Sequence, residues 1–163
     1  MAKMPQQKPG LSEQTVCTPK VLLDALKKRL HIASFSMDLA ASADNAVTDL
    51  EEAPNSYYDE KMDALTRPWS CGGWNFCNPP FADIEPWVMK AVSESQLGAQ
   101  TCMLLPASVG SNWWANFVDG CAHVLFLNGR VTFVGHTKPY PKDIAILLYT
   151  KYIYGGYEVW DWN

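Results

Sequence analysis

Apolar residues recur at helical spacing from the first third of the chain. Val21, Leu22, Ala25, Leu26 and Leu30 follow Thr18-Pro19, so the spacing predicts an amphipathic helix over 19–30. Thr18 is placed to cap that helix, and Pro19 stands at its first position, where a missing N–H costs nothing. A short apolar run over 35–40 predicts a buried strand. Residues 42–70 are polar and irregular, with Tyr57-Tyr58 the best short-strand candidate. A second strand over 74–77 stops at Asn78-Pro79-Pro80-Phe81. Asp83 and Gly98 then bracket a helix over 84–97, and a core strand follows over 101–105. Ser111 opens a third helix over 113–118, closed by Gly120. Asn128-Gly129 between two apolar runs predicts a hairpin pairing 123–127 with 130–134. A long apolar strand over 143–152 and a turn at Gly155-Gly156 complete the pattern. Alternating strands and helices predict a Rossmann-like α/β domain: a mostly parallel sheet with antiparallel edge strands and helices on both faces.

Composition narrows the classes. The 163 residues suit one domain, expected over 12–163 behind a flexible tail at 1–11. Hydrophobic residues at 48% and charged ones at 18% describe an ordinary globular protein. The net charge of −4 argues against a broad nucleic-acid-coating surface while leaving room for a local basic groove. Five cysteines without a C-x-x-C pair read as thiols in a reducing cytoplasm, and no metal site is expected. No run of apolar residues is long enough for a membrane span.

The tetrapeptide after the second strand carries the candidate chemistry, because open α/β sheets place ligand-facing residues beyond strand ends. The amide of Asn78 and the carbonyl of Pro79 offer two acceptors for the hydrogens of a planar amino group. Such a nitrogen is a poor nucleophile until it is held and pyramidalised, and orientation of this kind is worth about 7–11 kcal/mol in favourable cases. The prolines stiffen the loop, and Phe81 offers a ring face for an extruded base. Pro-Pro would also punctuate an ordinary strand-to-helix turn. Asp38 and Asp63 read either as ligand contacts or as solvated turn residues. Of the adjacent Trp113 and Trp114, which point about 100° apart on a helix, one belongs to the core and the other to a cleft. Arg130 reads as a phosphate contact or a surface ion pair, and His136, Lys138 and Lys142 crowd a Pro-containing loop.

In order along the chain, the set comprises Thr18-Pro19, Asp38-Leu39-Ala40-Ala41 with Asn45, Tyr57-Tyr58, and Asp63-Ala64-Leu65 before Trp69. It continues with Asn78-Pro79-Pro80-Phe81 and Trp87, Leu104-Leu105-Pro106-Ala107 with Trp113-Trp114, and Gly129-Arg130 with Phe133. This ordered set, over about residues 15–149, resembles the phage-type DNA N6-adenine methyltransferase family. The resemblance implies S-adenosylmethionine as methyl donor and adenine in double-stranded DNA as substrate. It implies cofactor contacts from Thr18, Pro19, Asp38, Ala40, Asn45, Asp63 and Asn78. It further implies catalysis by Asn78, Pro79, Pro80 and Phe81, with the base stacked on Phe81. Further DNA contacts are expected from Trp114 and Arg130 and from the basic loop of His136, Lys138 and Lys142, for which a solvated loop is the alternative. The loop after the first strand departs from the wider methyltransferase pattern in having no glycine, its place taken by small residues. Cytosine-N4 and RNA-adenine methylation, a noncatalytic DNA- or cofactor-binding role, and methylation of a protein glutamine amide, whose enzymes normally keep the glycine-rich loop, are the alternatives. Oligomeric state is not legible.

Overall fold

The computed structural model describes residues 16–70, 72–152 and 155–163; the expected tail at 1–11 and Cys71 lie outside them. A six-stranded mixed sheet carries the fold: β1 (Met37–Asp38), β2 (Trp74–Cys77), β3 (Gln100–Pro106), β4 (His123–Asn128), β5 (Ile144–Tyr149) and β6 (Tyr157–Asp161). Its spatial order is β1-β2-β3-β5-β4-β6. β1, β2 and β3 run parallel, β5 is antiparallel to both of its neighbours, and β6 lies parallel to β4. This is the expected Rossmann-like α/β arrangement with one refinement. The antiparallel strand β5 is interior, and the outermost strand β6 is parallel to its neighbour.

Alternation along the strands sends side chains into two cores. Cys102, Leu104, Ile144, Ile146 and Leu148 face α1 (Lys20–Leu30), which buries Leu22 and Leu26. Met103, Leu105, Ala145, Leu147 and Tyr149 face α2 (Glu85–Gln96) and α3 (Asn112–Phe117), which contribute Val88, Ala91 and Trp114. β3 and β5 are therefore covered on both faces, which is why they read as continuous apolar runs rather than alternating ones. Among the described residues no helix is long and apolar enough to cross a membrane.

Four local expectations are corrected. The hairpin at Asn128-Gly129 does not form: residues 130–134 make no strand, and β4 pairs instead with β5. Six buried apolar residues in β5 outweigh the favourable turn dipeptide, because strand pairing follows burial rather than propensity. Thr18 does not cap α1; extended Pro19 is the N-cap, without a side-chain hydrogen bond. Asp83 likewise makes no cap on α2, whose N-cap is Ile84 with Pro86 in the first turn. The strand over 35–40 shortens to Met37–Asp38, extended sideways by a parallel bridge between Asp38 and Tyr57. Ser111 does cap α3, accepting from the Trp114 amide at 3.3 Å.

Candidate active site

Because β1, β2 and β3 are parallel, their carboxyl ends share one edge of the sheet. The turn after Asp38 and the tetrapeptide after Cys77 therefore emerge side by side, with Asp38 registered against Phe76 and the Leu39 amide donating to the Phe76 carbonyl. Burial pushes the Cys77 thiol up, and the Asp38 carboxylate beside it adds to the shift.

Asn78 leaves β2 with its amide nitrogen engaged on both sides. Nδ2 donates to the Val16 carbonyl at 3.0 Å and to Thr18 Oγ1 at 3.4 Å. A carbonyl only accepts, so the amide is held with its NH2 toward residues 16–18 and its Oδ1 turned away as a spare acceptor. Pro79 has no N–H, and among the described residues its carbonyl takes no backbone hydrogen bond. Two acceptors thus stand one residue apart at the end of β2. Phe81 is half-buried and touches both cores. Its ring meets Tyr140 at 5.8 Å and 70°, and Tyr140 in turn meets buried Phe133 at 5.7 Å and 83°.

The Asp38 turn shows why no glycine is required. Asp38 is only 3% exposed and accepts from the Ala40 amide at 3.3 Å and the Val47 amide at 3.1 Å. Burial lifts its pKa to about 6 despite those two hydrogen bonds. Asn45 Oδ1 accepts from the Ser42 amide at 2.6 Å and lies 3.2 Å from the Ser42 hydroxyl. Side-chain acceptors therefore close the turn, and none of residues 39–47 needs a positive φ, which occurs outside glycine only at His31 and Asp63 among the described residues. Asp38 is no solvated turn residue; with Asn45 it shapes the backbone that carries Ala40. Asp63 is exposed and caps a 3-10 turn, Ala64–Thr66, accepting from the Leu65 amide at 3.1 Å. No hydrogen bond or ion pair joins it to Asp38 or Asn78. Its segment is clipped to α2 through the Trp69 amide, which donates to Glu94 Oε2 at 3.1 Å, while Glu94 pairs with Lys90 at 2.7 Å.

The loop between β4 and β5 leans on the tetrapeptide. Besides the Phe81–Tyr140 contact, the Val134 amide donates to the Cys17 carbonyl at 3.0 Å, within the segment that holds Asn78. Arg130 is spent inside this loop, donating to the Tyr140 and Pro141 carbonyls and pairing with Asp143 at 3.6 Å. His136, Lys138 and Lys142 are exposed, and the two lysines make no ion pair among the described residues. Trp114 is the core member of its pair, 7% exposed and stacked on Phe126 at 6.1 Å and 12°; Trp113 is the more open one. Trp114, expected to contact DNA, is placed in the core, where its ring is largely covered by protein. Tyr140 escaped the sequence reading, although a tyrosine framed by Pro139 and Pro141 in a basic loop was a usable signal.

Comparison with known proteins places the chain in a family. The model of a family described as DNA N-6-adenine-methyltransferase (Dam) matches residues 10–145. A DNA N-6-adenine-methyltransferase of Escherichia phage T1 is 25% identical over 115 residues, covering 71% of this chain and 45% of that protein. A second, from Haemophilus phage HP1 (strain HP1c1), is 23% identical over 108 residues, covering 65% of this chain and 62% of that protein. The chain therefore matches about half the length of these curated relatives. With the family match running through both the Asp38 turn and the tetrapeptide, the chain belongs to the DNA N-6-adenine-methyltransferase (Dam) family.

Proposed function

We propose that the chain transfers a methyl group from S-adenosylmethionine to the N6 amino nitrogen of an adenine in double-stranded DNA, with the base turned out onto Asn78-Pro79-Pro80-Phe81. The observation that carries this reading is the direction of the Asn78 amide. Its nitrogen is occupied by Val16 and Thr18, so Oδ1 is left to accept one amino hydrogen while the Pro79 carbonyl accepts the other. Two acceptors draw the nitrogen out of conjugation and aim its lone pair. Phe81 supports the extruded base by stacking, worth about 1–3 kcal/mol, which offsets part of the few kcal/mol that unstacking costs.

The residues around the Asp38 turn suit the methyl donor. The turn carries only small side chains at Ala40, Ala41, Ser42 and Ala43, and Asp38 and Asn45 hold it by accepting from the Ala40, Val47 and Ser42 amides. Thr18, Pro19, the Ala40 backbone and Asp63 are the groups assigned to holding the cofactor, which when bound supplies an electrophilic methyl. Asp38 and Asn45 act on it through the turn. His136, Lys138 and Lys142 are assigned to phosphate contacts, and Arg130 keeps their loop in shape.

Two measurements test the reading. S-adenosylmethionine is expected to raise the melting temperature as its concentration passes Kd; no shift at millimolar cofactor leaves only a binding role. Asn78→Ala is expected to lower methyl transfer to duplex DNA by about 10²–10³, the usual cost of one preorganised hydrogen-bonding group, with cofactor binding retained. N6-methyladenine formed at an undiminished rate removes the mechanism. Methyl on cytosine N4 keeps the mechanism and removes the substrate.

A further inference from the structure

Tyr140 belongs to no element of the sheet, yet it is the residue through which the β4–β5 loop reaches the tetrapeptide. Its backbone is fixed from both sides: its amide donates to the Val131 carbonyl at 2.7 Å, and its own carbonyl accepts from Arg130 at 3.5 Å. Its ring makes a T-shaped contact with Phe81 and another with Phe133. Phe133 is 4% exposed and packed in the core, so the three rings form a brace running from the core to the pocket. Half-burial raises the Tyr140 pKa, in keeping with a ring used for its faces and edges at neutral pH. The loop that carries this ring also carries Lys138 and Lys142.

We infer that Tyr140 is a positioning residue for the target base: its ring sets the orientation of Phe81, and through it the basic loop is coupled to the pocket. This inference rests on the proposed methyltransferase reading and adds to it a residue and a coupling. Phe81 has no hydrogen-bonding group to fix its ring, so its orientation is set by packing alone. Edge-to-face pairs resist rotation of either ring, because the positive edge of one seeks the negative face of the other. A base stacking on Phe81 needs that plane in place beforehand, since ordering it at the moment of binding would cost side-chain entropy.

The test is a double-mutant cycle on methyl transfer to plasmid DNA, using Tyr140→Ala, Phe81→Ala and the pair. Tyr140→Ala is expected to lower kcat about two- to tenfold, the range of one aromatic pair. The double variant is expected to match Phe81→Ala within about twofold, because a residue acting only through Phe81 has nothing left to act on. Tyr140→Phe keeps the ring and is expected to restore wild-type kcat. Tyr140→Leu, which keeps bulk, serves if the alanine variant fails to fold, and is expected to behave as the alanine variant does. Losses that multiply in the double variant overturn the inference, as does a loss confined to KM. A drop in melting temperature with unchanged kcat overturns it too, by making the role merely structural. Wild-type protein that methylates no DNA removes the methyltransferase reading and this inference with it.

Discussion

A carboxyl group held at a pKa of about 6 by burial leaves a mark on stability as well as on the site. In the unfolded chain Asp38 titrates near its ordinary value of 3.8. Between those values the folded protein keeps a proton that the unfolded chain has released, so stability falls as pH rises across that window. At neutral pH the ionised carboxylate is sustained by the Ala40 and Val47 amides, against its burial. Asp38→Asn removes the titration and keeps one acceptor. Relative to that variant, wild type is expected to lose about 2 kcal/mol between pH 4 and pH 6. Urea melts of both proteins across that range check it, and parallel curves would sink the idea. At this scale the sequence spoke clearly about Asn78-Pro79-Pro80-Phe81, whose composition is unusual in itself. Around Tyr140 it offered only the frame of Pro139 and Pro141, because that ring lies 59 residues further on and meets Phe81 only through the fold. It was misleading at Thr18, where a residue suited to capping a helix is drawn to Asn78 instead.

Elements follow the same division between local and distant causes. Helices were legible because their spacing and their stops are local: Gly98 and Gly120 end α2 and α3 with positive φ. The β4–β5 pairing was not, because its strands are separated by a fifteen-residue loop that opens on a hairpin dipeptide. Gly155-Gly156 shows a turn signal being honoured, since β6 returns beside β4 with positive φ at both glycines. Gly155 has a second reason to be glycine. A Cβ there would come within 3.0 Å of the Gly120 Cα, a backbone atom that cannot move aside cheaply. Gly155→Ala is therefore expected to lose more than about 1 kcal/mol of stability, the strain of a left-handed non-glycine residue alone, with the clash added. Chemical denaturation measures this. A neutral result would mean that β6 docks without the close approach at Gly120. Activity per folded molecule is expected to stay at the wild-type level, because β6 lies at the far side of the sheet from β1 and β2.

Charge is distributed unevenly over the whole molecule. Between residues 44 and 63 stand seven of the 17 acidic residues, Asp44, Asp49, Glu51, Glu52, Asp59, Glu60 and Asp63, against the single cation Lys61. The β4–β5 loop has the opposite character, with Arg130, Lys138 and Lys142 against Asp143, and Arg130 and Asp143 largely satisfy each other. A polyanion approaching a molecule of net charge −4 is thus repelled by one segment and drawn to the other, so under the proposed function the charge pattern would orient DNA even though the total does not attract it. Under the proposed function, Lys138→Ala and Lys142→Ala are each expected to weaken DNA binding. Each is also expected to flatten the plot of log affinity against log salt by about one unit per lost phosphate contact. Lys61→Ala removes the same charge from the acidic stretch and is the control: its salt slope is expected to equal that of wild type. If all three variants lose affinity equally with unchanged slopes, only net charge matters and the loop makes no phosphate contact. If Lys138→Ala and Lys142→Ala keep wild-type affinity and slope, DNA lies on another face, and the coupling of this loop to Phe81 would then serve the pocket alone.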